Sequence, residues 1–221
     1  MRLLKLLCLL FLSINFSSIY GQSQKNDSIN SLLDSIYETD QKIRYELIDL
    51  QNKGKIQPGE LKEIFVKMTK IDSMNLIEIN SLLNNYGWPE NLSFQRNQTI
   101  FLVIQHSDLE TQQKYLPVIR KAVEQGKTLP SNLAILEDRI SIREGKKQIY
   151  GSQIYVDSKT DKKYVEPLED PETVDERRAK VGLPTMSEYL KQTNQMEWSL
   201  EQYYKDLPKI ERILKQNQKR N

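Results

Sequence analysis

The sequence contains very few of the residues that build disulfides and zinc sites. Among its 221 residues there is one cysteine, Cys8, and one histidine, His106. A zinc site of the usual kind takes three or four cysteine and histidine ligands, so this class of site is excluded. Cys8 lies in an apolar run that we expect to be removed, so the mature chain has no cysteine and forms no disulfide. The sequence carries no motif for another metal or for a cofactor, and we expect neither.

An excess of charge of one sign is also missing. The chain has 32 basic and 30 acidic residues, and removal of residues 1–21, which include Arg2 and Lys5, leaves 30 of each. A protein that binds nucleic acid usually carries a clustered basic surface, so this balance argues against nucleic acid as a partner. No apolar run reaches the roughly 18 residues of a transmembrane helix, so we expect no membrane span.

The start of the chain has the pattern of a secretory signal peptide. Arg2 and Lys5 supply a basic beginning, the run Leu3–Ile14 is almost entirely apolar, and Gly21 is a small residue at a plausible cleavage point. We therefore expect export through the inner membrane, as a periplasmic or secreted protein, with cleavage near Gly21.

The mature sequence is dominated by helical spacing. Apolar residues recur every three or four positions in 29–50 and in 61–83, which is typical of amphipathic helices. The most hydrophobic run, Ile100–Ile104, is also interpreted as a helix, because polar residues extend it upstream. Two later stretches, Gln148–Val156 and Tyr164–Pro167, are predicted as the strands of a hairpin.

These patterns predict a mainly α fold, a single helical domain with a small antiparallel β-hairpin. We expect this domain to occupy residues 22–204, after a signal peptide at 1–21 and before a basic, polar tail at 205–221. The tail is interpreted as a frayed helix.

Short-range patterns predict particular contacts within the helices. Asp40 and Arg44 lie one turn apart and are interpreted as a surface ion pair. Two capping boxes and one aspartate–proline helix start are also expected. These three starts are Ser107–Glu110, Thr185–Glu188 and Asp170-Pro171.

Polar side chains are concentrated where a predicted helix meets the first predicted strand. Such junctions often form polar pockets, so we expect a binding site there. If 148–153 is a strand, Gln148, Tyr150 and Ser152 share one face, and we expect that face to line the pocket. The candidate ligand-binding residues are Gln105, His106, Arg139, Gln148, Tyr150, Gln153 and Arg177.

The arginines near this junction permit two interpretations. Arg139, Arg177 and Arg178 can clamp a carboxylate or a phosphate with a planar fork of donors. Alternatively, nearby aspartates neutralise them in structural ion pairs. The aspartates concerned are Asp138, Asp170 and Asp175.

Three classes of function remain open at this point. The leading hypothesis is a binding or interaction module for a small polar or anionic ligand or a peptide. The alternative is a hydrolase in which His106 works with an acidic partner such as Asp138. Two weaker variants use Ser152 as a nucleophile or Glu137 as the acid of a sugar hydrolase. A purely structural protein is the third class.

Several short motifs, in their order along the chain, resemble a bacterial family known only as a domain of unknown function. The resemblance spans roughly Asp40 to Leu190 and implies that these polar residues are a shared feature of the family, without implying an activity. The sequence departs mildly from the family pattern at Ser107 and Ser152, where the family tends to have Ala and Thr. The family also tends to have Gly near Ser93, so we expect a different start of the apolar helix here. The motifs are Asp40-Gln41 with Arg44, Tyr86-Gly87-Trp88-Pro89, Gln105-His106-Ser107-Asp108, Asp138-Arg139, Gln148 with Tyr150-Gly151-Ser152-Gln153, and Arg177-Arg178 with Val181-Gly182-Leu183.

Overall fold

A computed structural model describes the backbone of residues 2–52, 57–157 and 160–218; the side chains of residues 2–23, 58, 194 and 216–218 are outside this description. Helices account for 73% of the structure, and a two-stranded antiparallel sheet is the only sheet in the described residues. The predicted mainly α class with one small hairpin is therefore confirmed. The chain divides into two compact units, 1–103 and 104–221.

The first unit is built from long helices. Helix α1 (Arg2–Asn52) and helix α2 (Pro58–Tyr86) pack against each other, and helix α3 (Phe94–His106) begins in this unit. The apolar residues at helical spacing are the buried ones, as the periodicity predicts. They include Leu33, Ile36 and Ile43 of α1, Ile79, Leu82 and Leu83 of α2, and Ile100 and Phe101 of α3.

The second unit combines short helices with the hairpin. Strands β1 (Ile154–Val156) and β2 (Lys163–Val165) pair antiparallel, with Tyr155 opposite Tyr164. A core cluster of Val165, Leu168, Val174, Met186, Leu190 and Tyr203 joins the hairpin to the helices that follow it. The helices of this unit are α4 (Leu109–Glu124), α5 (Pro130–Arg143), α6 (Val174–Lys180), α7 (Met186–Tyr189) and α8 (Leu200–Gln218), with a 3-10 turn at Pro171–Thr173 and a π turn at Leu190–Asn194.

The first predicted strand is shorter than expected. Residues 148–153 do not form a strand. Gln148 makes only an isolated parallel bridge with Leu168, the amides of 149, 150, 152 and 153 bond to side chains, and the backbone turns at Gly151, where φ is 73°. The prediction that Gln148, Tyr150 and Ser152 share a strand face is therefore wrong. Strand alternation holds only where an extended backbone pairs with a neighbour over several residues.

The local predictions give mixed results. The capping box of Thr185 and Glu188 is confirmed. The start of α4 is one residue later than predicted, because Asp108 and not Ser107 accepts the amide of Thr111, at 2.8 Å. The short helix predicted at Asp170-Pro171 does start there, with Pro171 in its first turn, but Asp170 adopts a left-handed conformation with φ 37° and its side chain makes no capping hydrogen bond, so the predicted side-chain cap is wrong.

The first and the last of the described residues belong to helices. Residues 2–21, predicted as a signal peptide, are the start of α1, and their side chains are outside the described residues. The C-terminal segment contributes most of α8, in which Ile210 is 1% exposed, so its inner face is packed where a frayed end would be solvated. Among the described residues we find no helix with the length and apolar character needed to cross a bilayer.

Candidate functional site

Asp138 is the centre of the polar network in the second unit. Its side chain lies on the inner face of α5 and is fully buried. Oδ1 accepts hydrogen bonds from the backbone amides of Ile149 at 2.7 Å and Tyr150 at 2.9 Å, and Oδ2 accepts one from Ser152 at 2.9 Å. We call residues 148–153 the amide loop, because this single carboxylate organises their backbone. Burial raises the pKa of Asp138, and the three amide bonds act in the opposite direction.

Gln148 holds the amide loop from its other side. It is fully buried, and its Oε1 accepts the Gln153 amide at 2.8 Å while its Nε2 donates to the carbonyls of Gln153 and Glu166 at 3.0 and 2.9 Å. At the turn, Gly151 has no Cβ, and one placed there would lie 2.6 Å from the sulfur of Met186. The loop is therefore closed by side-chain amides and by tight packing.

Arg139 connects three segments that are distant in sequence. Its Nη1 donates to the carbonyl of Gln105 at 2.9 Å, and its Nε donates to Oε1 of Gln153 at 3.2 Å. Nε2 of Gln105 lies 3.3 Å from Nε2 of His106, and Gln153 also bonds Ser152 through its Nε2 at 2.9 Å. The end of α3, the helix α5 and the amide loop therefore meet at one guanidinium.

The two following arginines bind the backbone of the same region. Arg177 donates from Nε to the carbonyl of Ile149 at 2.9 Å and from Nη2 to that of Asp170 at 3.1 Å. Arg178, 1% exposed, donates from Nη1 to the carbonyl of Tyr150 at 2.6 Å and lies over the ring of Tyr189. Of the two interpretations of these arginines, pairing with aspartate carboxylates is not the one seen. Their hydrogen-bond acceptors are mainly carbonyls of irregular segments, which have no regular partner of their own.

The remaining candidates lie at the outer side of this network. The side chains of Gln105, His106 and Tyr150 are half-buried. Burial raises the pKa of the Tyr150 phenol, and the carboxylates of Glu137 and Asp138 add to the effect. Glu137 itself accepts a hydrogen bond from Nη2 of Arg120 at 2.9 Å.

The structure brings some of the predicted residues together and gives others a supporting position. Gln105, His106, Arg139 and Gln153 form one connected group. Gln148 and Asp138, by contrast, are fully buried beneath the amide loop and hold its backbone. The predicted ligand-binding residues thus separate into an inner layer, which contains Gln148, and an outer layer, which contains the others.

Sequence reasoning missed several residues of the network. Gln112 is fully buried and donates to the carbonyls of Gln105 and Ser107, at 2.7 and 3.3 Å. Its position one turn before Tyr115 on the buried face of α4 is a signal that periodicity could have used. Glu166 is 9% exposed, and burial raises its pKa to about 7; its local sequence carries no comparable signal.

Comparison with known proteins identifies the family. A family model described as "Family of unknown function (DUF6624)" matches residues 27–199. The chain belongs to DUF6624. Neither the curated proteins nor the solved structures contain a match. The DUF6624 match includes the amide loop, Arg139 and the end of α3, and the family description assigns them no activity.

Proposed function

We propose that this DUF6624 protein is an exported binding module that holds a small polar or anionic ligand, or a peptide segment, at a polar junction. The polar junction consists of Gln105, His106, Arg139, Tyr150, Gln153 and Arg177. The observation that carries the proposal is the Arg139 fork, which joins the Gln105 carbonyl to the Gln153 side chain across 34 and 14 residues of sequence.

The division into two layers supports binding. The inner residues Asp138, Gln148 and Arg178 are buried and fix the backbone of the amide loop. The residues of the polar junction are half-buried, so solvent reaches them while their backbone is held. A binding site needs this arrangement, because groups fixed beforehand lose little conformational entropy when a ligand arrives.

The chemistry of the junction favours a ligand rich in hydrogen-bond acceptors. Arg139 and Arg177 are permanently charged donors, and Tyr150 and Gln105 add a phenol and a carboxamide. A carboxylate, a phosphate or a peptide carbonyl matches these donors. The binding hypothesis accounts for the presence of two arginines at the edge of a fixed loop.

The hydrolase alternative has less support. Asp138, its candidate acidic partner, directs both carboxylate oxygens at backbone amides of the amide loop. Glu137, the candidate acid for sugar hydrolysis, accepts a hydrogen bond from Arg120. Both carboxylates therefore have structural partners within the second unit, and neither is held for a reaction with His106.

A binding experiment with defined probes tests the proposal. Acetate, inorganic phosphate and an acidic dipeptide are titrated into the purified protein while backbone NMR signals are followed. We expect shifts concentrated at Gln105, Tyr150 and Gln153, and at least tenfold weaker binding in Arg139→Gln. Arg120→Gln is the matched control, since it removes an exposed helical arginine, and it should bind as the wild type does.

Two results would overturn the binding proposal: no probe shifts the signals of the polar junction, or Arg139→Gln and Arg120→Gln bind equally well. Export is tested separately by intact mass of protein recovered from the native host. A mature chain that begins at or near Gln22 supports it, and a full-length species in the cytoplasm contradicts it.

A further inference from the structure

The first unit contains a cleft that shares no residue with the polar junction. A cavity of about 230 Å³ lies between the α1 segment 25–30 and the segment 86–92 that follows α2. Tyr86 and Pro89, two residues of the motif Tyr86-Gly87-Trp88-Pro89, line it. This motif has no part in the polar junction, so its presence requires a separate explanation.

The wall formed by the motif is held rigidly. The indole Nε1 of Trp88 donates to Oδ1 of Asn97 at 2.7 Å, and Nδ2 of Asn97 donates back to the carbonyls of Leu92 and Ser93, each at 3.2 Å. Asn97 is 8% exposed, so this network is shielded from solvent. Trp88 therefore anchors the loop from within, while Tyr86 and Pro89 face the cleft.

The opposite wall is formed by α1, which contacts both α3 and the motif. A two-point ion pair joins Arg96 of α3 to Asp34 of α1, with N–O distances of 2.9 and 2.8 Å. Lys25 of α1 lies over the ring of Tyr86, 3.9 Å from its centroid. Both walls are thus fixed, and a preformed cleft of this kind reduces the entropic cost of binding.

The lining of the cleft is rich in carboxamides. Asn26, Asn30 and Asn91 line it, and within the described part of the chain their side chains make no hydrogen bond to another group. Asn91 adopts φ 58°, a left-handed conformation that asparagine tolerates better than most residues. Each carboxamide offers both donors and an acceptor, as a ligand with hydroxyl groups requires.

Charge and size narrow the ligand class. Lys25 and Glu90 bring one positive and one negative charge to the lining, so the cleft has no charge excess that would select a phosphate or a metal ion. Its volume lies below the roughly 300–1,000 Å³ of pockets for drug-sized ligands, so one sugar ring fits and a long chain does not. Ile29, Pro89 and Leu92 supply apolar surface for the carbon face of such a ring.

We propose that this cleft binds a single neutral sugar residue, with Asn26, Asn30 and Asn91 hydrogen-bonding its hydroxyl groups. The apolar side chains contact the ring carbons, and Lys25 and Tyr86 close one side. The proposal is independent of the polar junction, because every residue it uses lies in the first unit.

Titration with free sugars tests the proposal. Glucose, galactose and N-acetylglucosamine are added at millimolar concentrations to the purified protein, and the side-chain amide signals of Asn26, Asn30 and Asn91 are followed by NMR. We expect these signals to shift with at least one of the sugars. Asn91→Gly removes the carboxamide while it retains the left-handed backbone, and Asn30→Ala tests the opposite wall; each should weaken binding at least fivefold.

A matched aromatic pair provides the control. Tyr86 and Phe94 are both exposed aromatic residues near the cleft, at 51% and 63%, but only Tyr86 lines it. Tyr86→Ala should weaken sugar binding, and Phe94→Ala should leave it unchanged. The proposal is overturned if none of the three sugars shifts the asparagine signals, if the Asn91 and Asn30 variants bind normally, or if triglycine shifts these signals and the sugars do not.

Discussion

Buried charge is treated differently in the α1–α2 pair and in the amide loop. Between α1 and α2, Asp40 is 1% exposed and pairs with Arg44 at 3.1 Å, and Arg44 also binds Asp72 at 2.9 Å. In the amide loop, the buried carboxylate of Asp138 accepts three backbone amides instead. The Asp40 carboxylate is thus bound by side chains, Arg44 and also Gln41, whose Nε2 donates to Oδ2 at 2.8 Å, whereas the Asp138 carboxylate is bound by the backbone.

The difference follows from the state of the backbone in each region. In the middle of a helix every amide and carbonyl is already bonded four residues away, so a buried side-chain charge must find another side chain. In an irregular loop these groups lack a regular partner, and a charged side chain can satisfy several of them at once. A buried ion in a loop therefore determines the shape of the chain, whereas one between helices mainly determines their pairing.

The largest effect is expected for Asp138→Ala. Three amides lose their acceptor together, and each unsatisfied buried donor costs about 1–3 kcal/mol, so we expect a loss of about 4 kcal/mol in the free energy of unfolding. Asp138→Asn should recover only part, because its Nδ2 cannot accept the amide of Ser152. Urea unfolding measures the stability of both variants. Glu137→Ala is the control: it removes a more exposed salt bridge with Arg120 and should cost less than about 1 kcal/mol.

Asp40→Ala should be the next most destabilising change. Removing one partner of a buried ion pair costs about 3–5 kcal/mol, and the partial exposure of Arg44 places this case near 3 kcal/mol. Unlike the loss at Asp138, this loss of stability should be partly restored by a second substitution. Asp40→Leu combined with Arg44→Met should recover part of the loss, because the buried pair is removed as a whole and only the partly exposed Asp72 loses its partner. A double variant no more stable than Asp40→Ala would contradict pairing of charge with charge as the main role of Asp40.

Glu166 is a buried carboxyl group with neither kind of partner at one of its oxygens within the described part of the chain. Its Oε2 has no hydrogen-bond partner in the described residues, and burial raises its pKa from 4.5 to about 7. The folded protein then holds a proton that the unfolded chain releases, so stability falls as the pH rises from 4.5 to 7 and changes little from this group above 7. We expect Glu166 to contribute a decrease of roughly 2–3 kcal/mol over this window.

Glu166→Gln should remove most of this decrease, because the amide remains neutral throughout. Unfolding by urea at pH 5 and pH 8 measures the difference between the two proteins. The exposed neighbour Glu169 provides the control, and Glu169→Gln should retain the dependence of the wild type. An equal change in the free energy of unfolding between pH 5 and pH 8 in the wild type and in Glu166→Gln would contradict a raised pKa of Glu166.

Gly151→Ala should have the smallest effect of the four. Its φ of 73° disfavours alanine, and the new Cβ would lie 2.6 Å from the Met186 sulfur, so we expect a loss of about 2 kcal/mol. Gly182→Ala is the matched control, because its φ is 74° and no atom lies within 4 Å of the added Cβ. It should cost about 1 kcal/mol, and the difference measures the packing that closes the amide loop.

The helices could be predicted because their signals are local. The burial of Leu33, Ile36 and Ile43 repeats the spacing of apolar residues along α1, and Thr185 caps α7 through Glu188, three residues later. The spacing and the cap both relate residues that lie within a few helical turns of each other. Asp40 shows the limit: the sequence placed it beside Arg44 and predicted a surface pair, but it is 1% exposed.

The candidate site was found only in part for the same reason. Its composition was visible, since Arg139, Gln148, Tyr150 and Gln153 stand close together in sequence. Their orientation was not visible, because an alternating pattern of polar residues was interpreted as a strand. In the structure the amides of 149, 150 and 152 all donate to the carboxylate of Asp138. Alternation in sequence does not determine strand geometry unless a paired neighbour holds the backbone extended.

The sequence by itself determined the class of the fold, the helix positions and the region where polar chemistry is concentrated. Helical hydrogen bonds and amphipathic spacing operate over three or four residues, so they can be read along the chain. The tertiary structure alone decided which polar residues are buried supports and which face solvent. Arg139 reaches Gln105 across 34 residues, and no local pattern specifies such a contact, because it depends on how α5 packs beside the end of α3.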